Sequence, residues 1–271
     1  MCPNCRAFIS NADRVCPYCE FELAPPPRGV VHPKRKWGEG RLPSWIPQAQ
    51  STTFIILTAN LGLFAATAVM SRSIDIDGQT LWLFGAKHPP SILGYGEYWR
   101  LITAGFLHGD LIHILMNSWA FWDLGAQVED ALGTPRYLSV YTFSIITGFL
   151  ASTMFSGSLS VGASGAIFGL IGAMIAAGMR AGTAMGEEVK QHYTRWAIYG
   201  LVFSLFMGRI DHACHVGGLA GGFALSYLAG LPSTFDNTKE KIWRIVSYLC
   251  LVLVGGAFLQ WFLWFSKVTR N

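Results

Sequence analysis

Four short stretches of this 271-residue chain carry side chains able to do chemistry. The first is Gly162-Ala163-Ser164-Gly165, at the mouth of an apolar run that continues through Phe168, Ile171, Met174 and Ile175. A serine among small residues there can serve packing, because Gly165 and Gly169 make a G-x-x-x-G helix face. It can equally be a nucleophile, with the glycines leaving room for a substrate backbone and for an oxyanion over the serine amide. The second stretch is Asp211-His212-Ala213-Cys214-His215, followed by paired glycines. His215, Gly218 and Gly222 fall at i, i+3 and i+7, so one imidazole sits on the helix face best suited to close backbone approach. An imidazole nitrogen brought within about 3 Å of the Ser164 oxygen could take its proton. The third runs from His108 to Asn117, where His113 and Asn117 are four apart and can aim two donors at one point. The competing reading of that pair is polar glue between helices. The fourth is the cysteine set Cys2, Cys5, Cys16 and Cys19, in two C-P-x-C knuckles. Each knuckle puts two thiolates on one tight turn, and two turns can close a tetrahedral zinc site. A pair of disulfides is the other reading.

The elements that must position these groups are membrane helices. The chain is 52% apolar and 13% charged, against roughly 25% charged in soluble domains, and its apolar residues come in long blocks. That composition predicts an all-α polytopic membrane protein. A net charge of +4, scattered along the chain, makes no nucleic-acid footprint and acts instead as a topology signal. Seven spans are expected, at about 52–71, 104–125, 137–155, 162–179, 195–208, 212–230 and 244–265. No internal repeat is visible, which counts against a transporter built from duplicated halves. With the N-terminus inside, fourteen Lys and Arg lie on the inner side and six on the outer side. The expectation is therefore a cytosolic N-terminus and an external C-terminus. The cysteine knuckles then lie in a reducing compartment, which favours structural zinc over disulfides. In this topology the second, fourth and sixth spans all begin at the outer face. Ser164 and His215 sit within about three residues of that end, with His113 and Asn117 somewhat deeper.

The sequence resembles the rhomboid family of intramembrane serine proteases. The resemblance rests on Trp99-Arg100 after the first span, the H-x-x-x-x-H-x-x-x-N pattern from His108 to Asn117, G-x-S-G at 162–165, and His215 with its following glycines. These come in the family's order and cover roughly residues 52 to 230. The resemblance implies a six-helix core, here with a seventh transmembrane helix after it. It implies Ser164 as nucleophile and His215 as general base and then acid, with the Ser164 amide, His113 and Asn117 as oxyanion donors. It implies further that Phe168 packs on the catalytic histidine, and that no cofactor takes part in catalysis. Asp211, four residues before His215, is expected to be a loop or helix-cap carboxylate.

Four regions follow: a zinc-ribbon-like segment at 1–24, a basic proline-rich linker at 25–50, the six-span core at 51–230, and a loop with the seventh helix at 231–271. The expected activity is hydrolysis of a peptide bond in or near the transmembrane segment of another membrane protein. The expected partners are such substrates and the bilayer of a bacterial cell membrane, with no nucleic acid. A cytosolic partner of the zinc segment stays open. The alternative is a catalytically silent rhomboid-like chaperone or binding protein, though such a protein would typically lack the serine or the histidine.

Overall fold

The computed structural model describes residues 51–206, 208, 210–232 and 237–270, together with residues 4, 15 and 19–22 near the N-terminus. The chain divides into two units, Met1–Ser44 and Trp45–Asn271. In the first, Val15 and Glu22 pair as an antiparallel bridge across the second cysteine knuckle. Cys19 lies on that turn, half-buried, and its Sγ accepts a hydrogen bond from Asn4 Nδ2 at 3.6 Å. Cys2, Cys5 and Cys16 lie outside the described residues.

The second unit is helical, with no strand among the described residues. Seven long helices carry it: α1 (Ser51–Ser71), α5 (Leu111–Leu132), α6 (Thr134–Phe155), α7 (Ser164–Ala181), α8 (Ala184–Phe206), α9 (His212–Ala229) and α10 (Asn237–Val268). Between α1 and α5 the chain forms three short helices, α2 (Gly78–Leu83), α3 (Pro89–Tyr95) and α4 (Arg100–Thr103), then a 3-10 turn at Ala104–Phe106. Four of the long helices, α1, α6, α7 and α10, are long and apolar enough to cross a membrane by themselves. α5, α8 and α9 fall below that mark because polar side chains interrupt them, and they gain their place by packing.

Three expected spans move: the seventh, expected from 244, already starts at Asn237. The second begins at Leu111 rather than near 104, because Leu107 is extended and Asp110 caps the new helix, its Oδ1 accepting the His113 amide at 2.8 Å. The fifth runs over 184–206 rather than 195–208, since the polar turns holding Glu187, Glu188 and Lys190 are helical as well. The six-helix core with an added C-terminal helix stands as expected.

α7 is the central helix, packed on α6, α8 and α9 and buried along most of its length. The closest packing is against α9, where side chains are absent. A Cβ on Gly218 would lie 2.0 Å from the Gly165 carbonyl oxygen, and one on Gly222 would lie 2.0 Å from that of Gly169. The two backbones are in direct contact, as small-residue faces permit.

α10 is mostly exposed but lays one face along the core, with Ser247 and Ala257 buried and Phe258 edge-on to Phe106 at 5.4 Å, and it makes polar contacts near both ends. Near its start, Glu240 takes a bidentate salt bridge from Arg136 at 2.5 and 3.0 Å, with Trp243 beside the guanidinium. Near its end, Trp261 Nε1 donates to Leu83 O at 2.9 Å, and Trp264 meets Trp82 and Trp99 edge-on or tilted. Arg100 fills the space among these three tryptophans, 4.5 to 5.2 Å from their ring centres. It is fully buried, pairs with Glu97 at 2.6 Å, and donates to Trp82 O and Ala86 O. Through its Nε and one terminal nitrogen this buried guanidinium ties Glu97, Trp82 and Ala86 together and fixes the path of the α2–α4 connection.

Candidate active site

Ser164 is the first residue of α7, half-buried. The residue before it, Ala163, offers no side-chain cap, so the amides of the first turn stay available to a ligand, at the positive end of the helix dipole. Gly162 enters this turn with φ +131°, a conformation that L side chains rarely adopt, and a Cβ there would lie 2.7 Å from His113 Nε2. Only glycine lets the loop and that imidazole come together.

His215 is the fourth residue of α9 and is buried. Its Nε2 lies 2.9 Å from Ser164 Oγ, a hydrogen bond made possible by the contact of the α7 and α9 backbones. The Phe168 ring stacks on the imidazole, centroids 4.4 Å apart and planes 24° apart. Gly200 of α8 makes room for that ring, since a Cβ there would sit 3.0 Å from Phe168 Cζ. The other imidazole nitrogen, Nδ1, is buried and finds no hydrogen-bond partner among the described residues.

Asp211 does not supply a third member. It caps α9, its Oδ1 accepting the Cys214 amide at 3.0 Å, while the Ser152 hydroxyl donates to Oδ2. Both carboxylate oxygens are thus engaged away from the His215 ring. His212 is exposed and shares a hydrogen bond between Nδ1 and the Ser204 hydroxyl of α8, at 3.1 Å.

His113 occupies the first turn of α5, not a deeper one, because that helix starts later than its apolar run suggests. Ser164, His113 and His215 therefore all stand in the first turns of three helices. Asn117 is one turn further in; it is buried, and its Nδ2 finds no partner among the described residues. A buried amide donor left open one turn beyond His113 is suited to an anionic oxygen. His108 is fully buried, its ring edge-on to that of His113 at 5.1 Å. Of the predicted site residues, Ser164 and His215 are hydrogen-bonded to each other, and His113 lies against the Gly162 turn.

Three contributors escaped sequence reasoning. Ser152 orients the Asp211 cap, Gly200 admits Phe168, and Lys87 holds the loop that leads to Ser164. Lys87 is fully buried, and its Nζ donates to Ser156 O and Ser158 O, both at 2.8 Å. Burial pushes its pKa down, while the Asp211 carboxylate and the Cys214 thiol oppose that shift. A lone lysine between a glycine-alanine pair and a histidine gives no signal in sequence.

Comparison with known proteins agrees with this architecture. Residues 95–232 match the Rhomboid domain. "Rhomboid-like protease 3" of Toxoplasma gondii is 32% identical over 235 residues, 83% of this chain and 81% of that protein. "RHOMBOID-like protein 5" of Arabidopsis thaliana is 34% identical over 251 residues, 82% of this chain and 79% of the other. "Rhomboid protease GluP" of Bacillus subtilis (strain 168) is 33% identical over 209 residues, which is 77% of this chain but only 40% of that longer protein. A domain match over half of the chain, two relatives matched over about four fifths of their length, and an all-helical fold lead to one conclusion: this chain belongs to the rhomboid family.

Proposed function

We propose that the chain is an intramembrane serine endopeptidase working by a Ser164–His215 dyad. The observation that carries this reading is the 2.9 Å separation of Ser164 Oγ from His215 Nε2, at the mouth of α7 beside uncapped first-turn amides. In the proposed cycle His215 Nε2 takes the Ser164 proton as the oxygen attacks a substrate carbonyl. The Ser164 amide, His113 and Asn117 Nδ2 hold the resulting oxyanion. The imidazolium then returns its proton to the leaving amine, and water, activated in turn by His215, releases the acyl group. No acid partner takes part, since Asp211 is committed to capping. The Phe168 face restrains the ring in its place.

The substrate is the transmembrane segment of another protein. Helical carbonyls are already hydrogen-bonded, so a cleavable segment must unwind locally, which small or helix-breaking residues favour. The cation distribution speaks for a cytosolic N-terminus, an external C-terminus and a site facing the outer side of the membrane. It also speaks for zinc at Cys2, Cys5, Cys16 and Cys19 as a structural ion.

The test is incubation of the purified protein in detergent with single-span membrane proteins and, separately, with a fluorophosphonate probe. Cleavage and labelling at one serine are expected, both lost in Ser164→Ala. A folded wild-type protein that neither cleaves nor takes the probe would refute the reading in favour of a silent membrane-protein chaperone.

A further inference from the structure

Lys87 lies between α2 and α3, and no step of proton transfer uses it. Its main chain pairs with Ser160 in both directions, Lys87 N to Ser160 O at 3.0 Å and Ser160 N to Lys87 O at 3.1 Å. Its ammonium reaches past that bridge to the carbonyls of Ser156 and Ser158. Ser156 is the C-cap of α6, where the dipole's negative end favours a cation. One residue therefore grips the 156–160 loop at three carbonyls and one amide. Beyond the grip the Gly162 amide is tied to Ala104 O at 3.0 Å, and α7 starts at Ser164. From the end of α6 to the nucleophile the chain has no regular structure of its own.

We propose that Lys87 is a positioning residue of the reaction: its ammonium sets the course of the 156–163 loop, and with it the direction of the Ser164 amide and the fit of Gly162 against His113. The inference rests on the serine-protease reading above. An ammonium suits the task because it offers several donors from one compact centre on a flexible stem. A neutral side chain of the same length would leave two carbonyls without their donor and reduce the hold of residue 87 on the loop to the Ser160 pair. The amide of Ser164 would then lose its aim, and an error of about 1 Å in such a donor costs about 100-fold in rate. The loss is expected in kcat rather than KM, because the aim of the amide matters to the oxyanion, which forms only in the transition state.

The experiment compares wild type, Ser164→Ala, Lys87→Met and Lys87→Arg in detergent, measuring kcat, KM, the rate of fluorophosphonate labelling and Tm. Lys87→Met is expected to lose about 100-fold in kcat with KM within about 2-fold, and to label correspondingly slowly. Lys87→Arg, which keeps charge and donors, is expected to recover most of that loss. A folded Lys87→Met with wild-type kcat, or one whose loss lies in KM, overturns the inference. If the methionine variant does not fold, Lys87→Gln is judged by the same criteria, and failure of every variant to fold overturns it too, by making Lys87 a folding residue. Should wild type itself neither cleave nor label, it is the protease reading that fails.

Discussion

Gly218→Ala asks the α7–α9 contact to open at the point where it holds the site together. The new Cβ would lie 2.0 Å from the Gly165 carbonyl oxygen, and 3.0 Å is the closest approach that real Cβ atoms show, so the backbones must part by at least 1 Å. The obstacle is main chain on a buried helix, not the tip of a flexible side chain. Ser164 and His215 sit on these same two helices, each within one turn of a contacting glycine. Opening the contact by 1 Å stretches their 2.9 Å hydrogen bond beyond bonding distance. Misplacement of that size costs about 100-fold in rate, and overpacking of this kind costs about 1–3 kcal/mol in stability. Cleavage kinetics and thermal melting in detergent read the two effects separately, with Gly62→Ala as control, since nothing lies within 4 Å of a Cβ there. Gly218→Ala that melts near wild type and retains wild-type kcat would refute the claim that backbone contact sets the dyad distance.

Other substitutions test the remaining roles. Ser164→Ala and His215→Ala are each expected to abolish cleavage, with the double variant no slower than either, because a dyad acts as a unit. His212→Ala and Asp211→Asn should keep most activity, and the reverse pattern for His212 and His215 would show that the base is misassigned. Asn117→Ala should lower kcat by about 100-fold, or roughly 3 kcal/mol of transition-state stabilisation, with Tm little changed; an equal loss of stability would make Asn117 a packing residue. Metal analysis of the freshly purified full chain should give near-equimolar zinc, lost when Cys2 and Cys5 become serine, and disulfides without metal would refute the zinc reading.

The number of long helices was legible because each carries an apolar block, but block ends and helix ends are different things. At 104–107 the apolar residues run on while the backbone turns aside, and the useful signal was the later His108-Gly109-Asp110, where the aspartate can only cap. At 184–194 the reverse holds, with a helix continuing through charged turns that hydropathy does not register. The pairing of Ser164 with His215 was readable because glycine spacing marks which face of α9 approaches α7. The α2–α4 connection was not readable. Its order comes from buried Arg100 and Lys87, whose partners are mostly main-chain carbonyls, and carbonyls leave no trace in residue identity.

The two attachments of α10 have a mechanical meaning. Glu240 grips α6 near one end of the helix, and Trp264 grips the Arg100 cluster near the other. Twenty-four residues of helix separate them, about 36 Å at 1.5 Å per residue, close to the roughly 30 Å of a hydrocarbon core with its margins. The helix between is a strut of fixed length, with one face packed on the core through Ser247, Ala257 and Phe258 and the rest exposed. It holds the loop that reaches towards Ser164 at a constant distance from the Glu240 contact. A thicker or thinner bilayer then cannot stretch the molecule along its axis, and the mismatch must be taken up by tilt or by the lipids themselves.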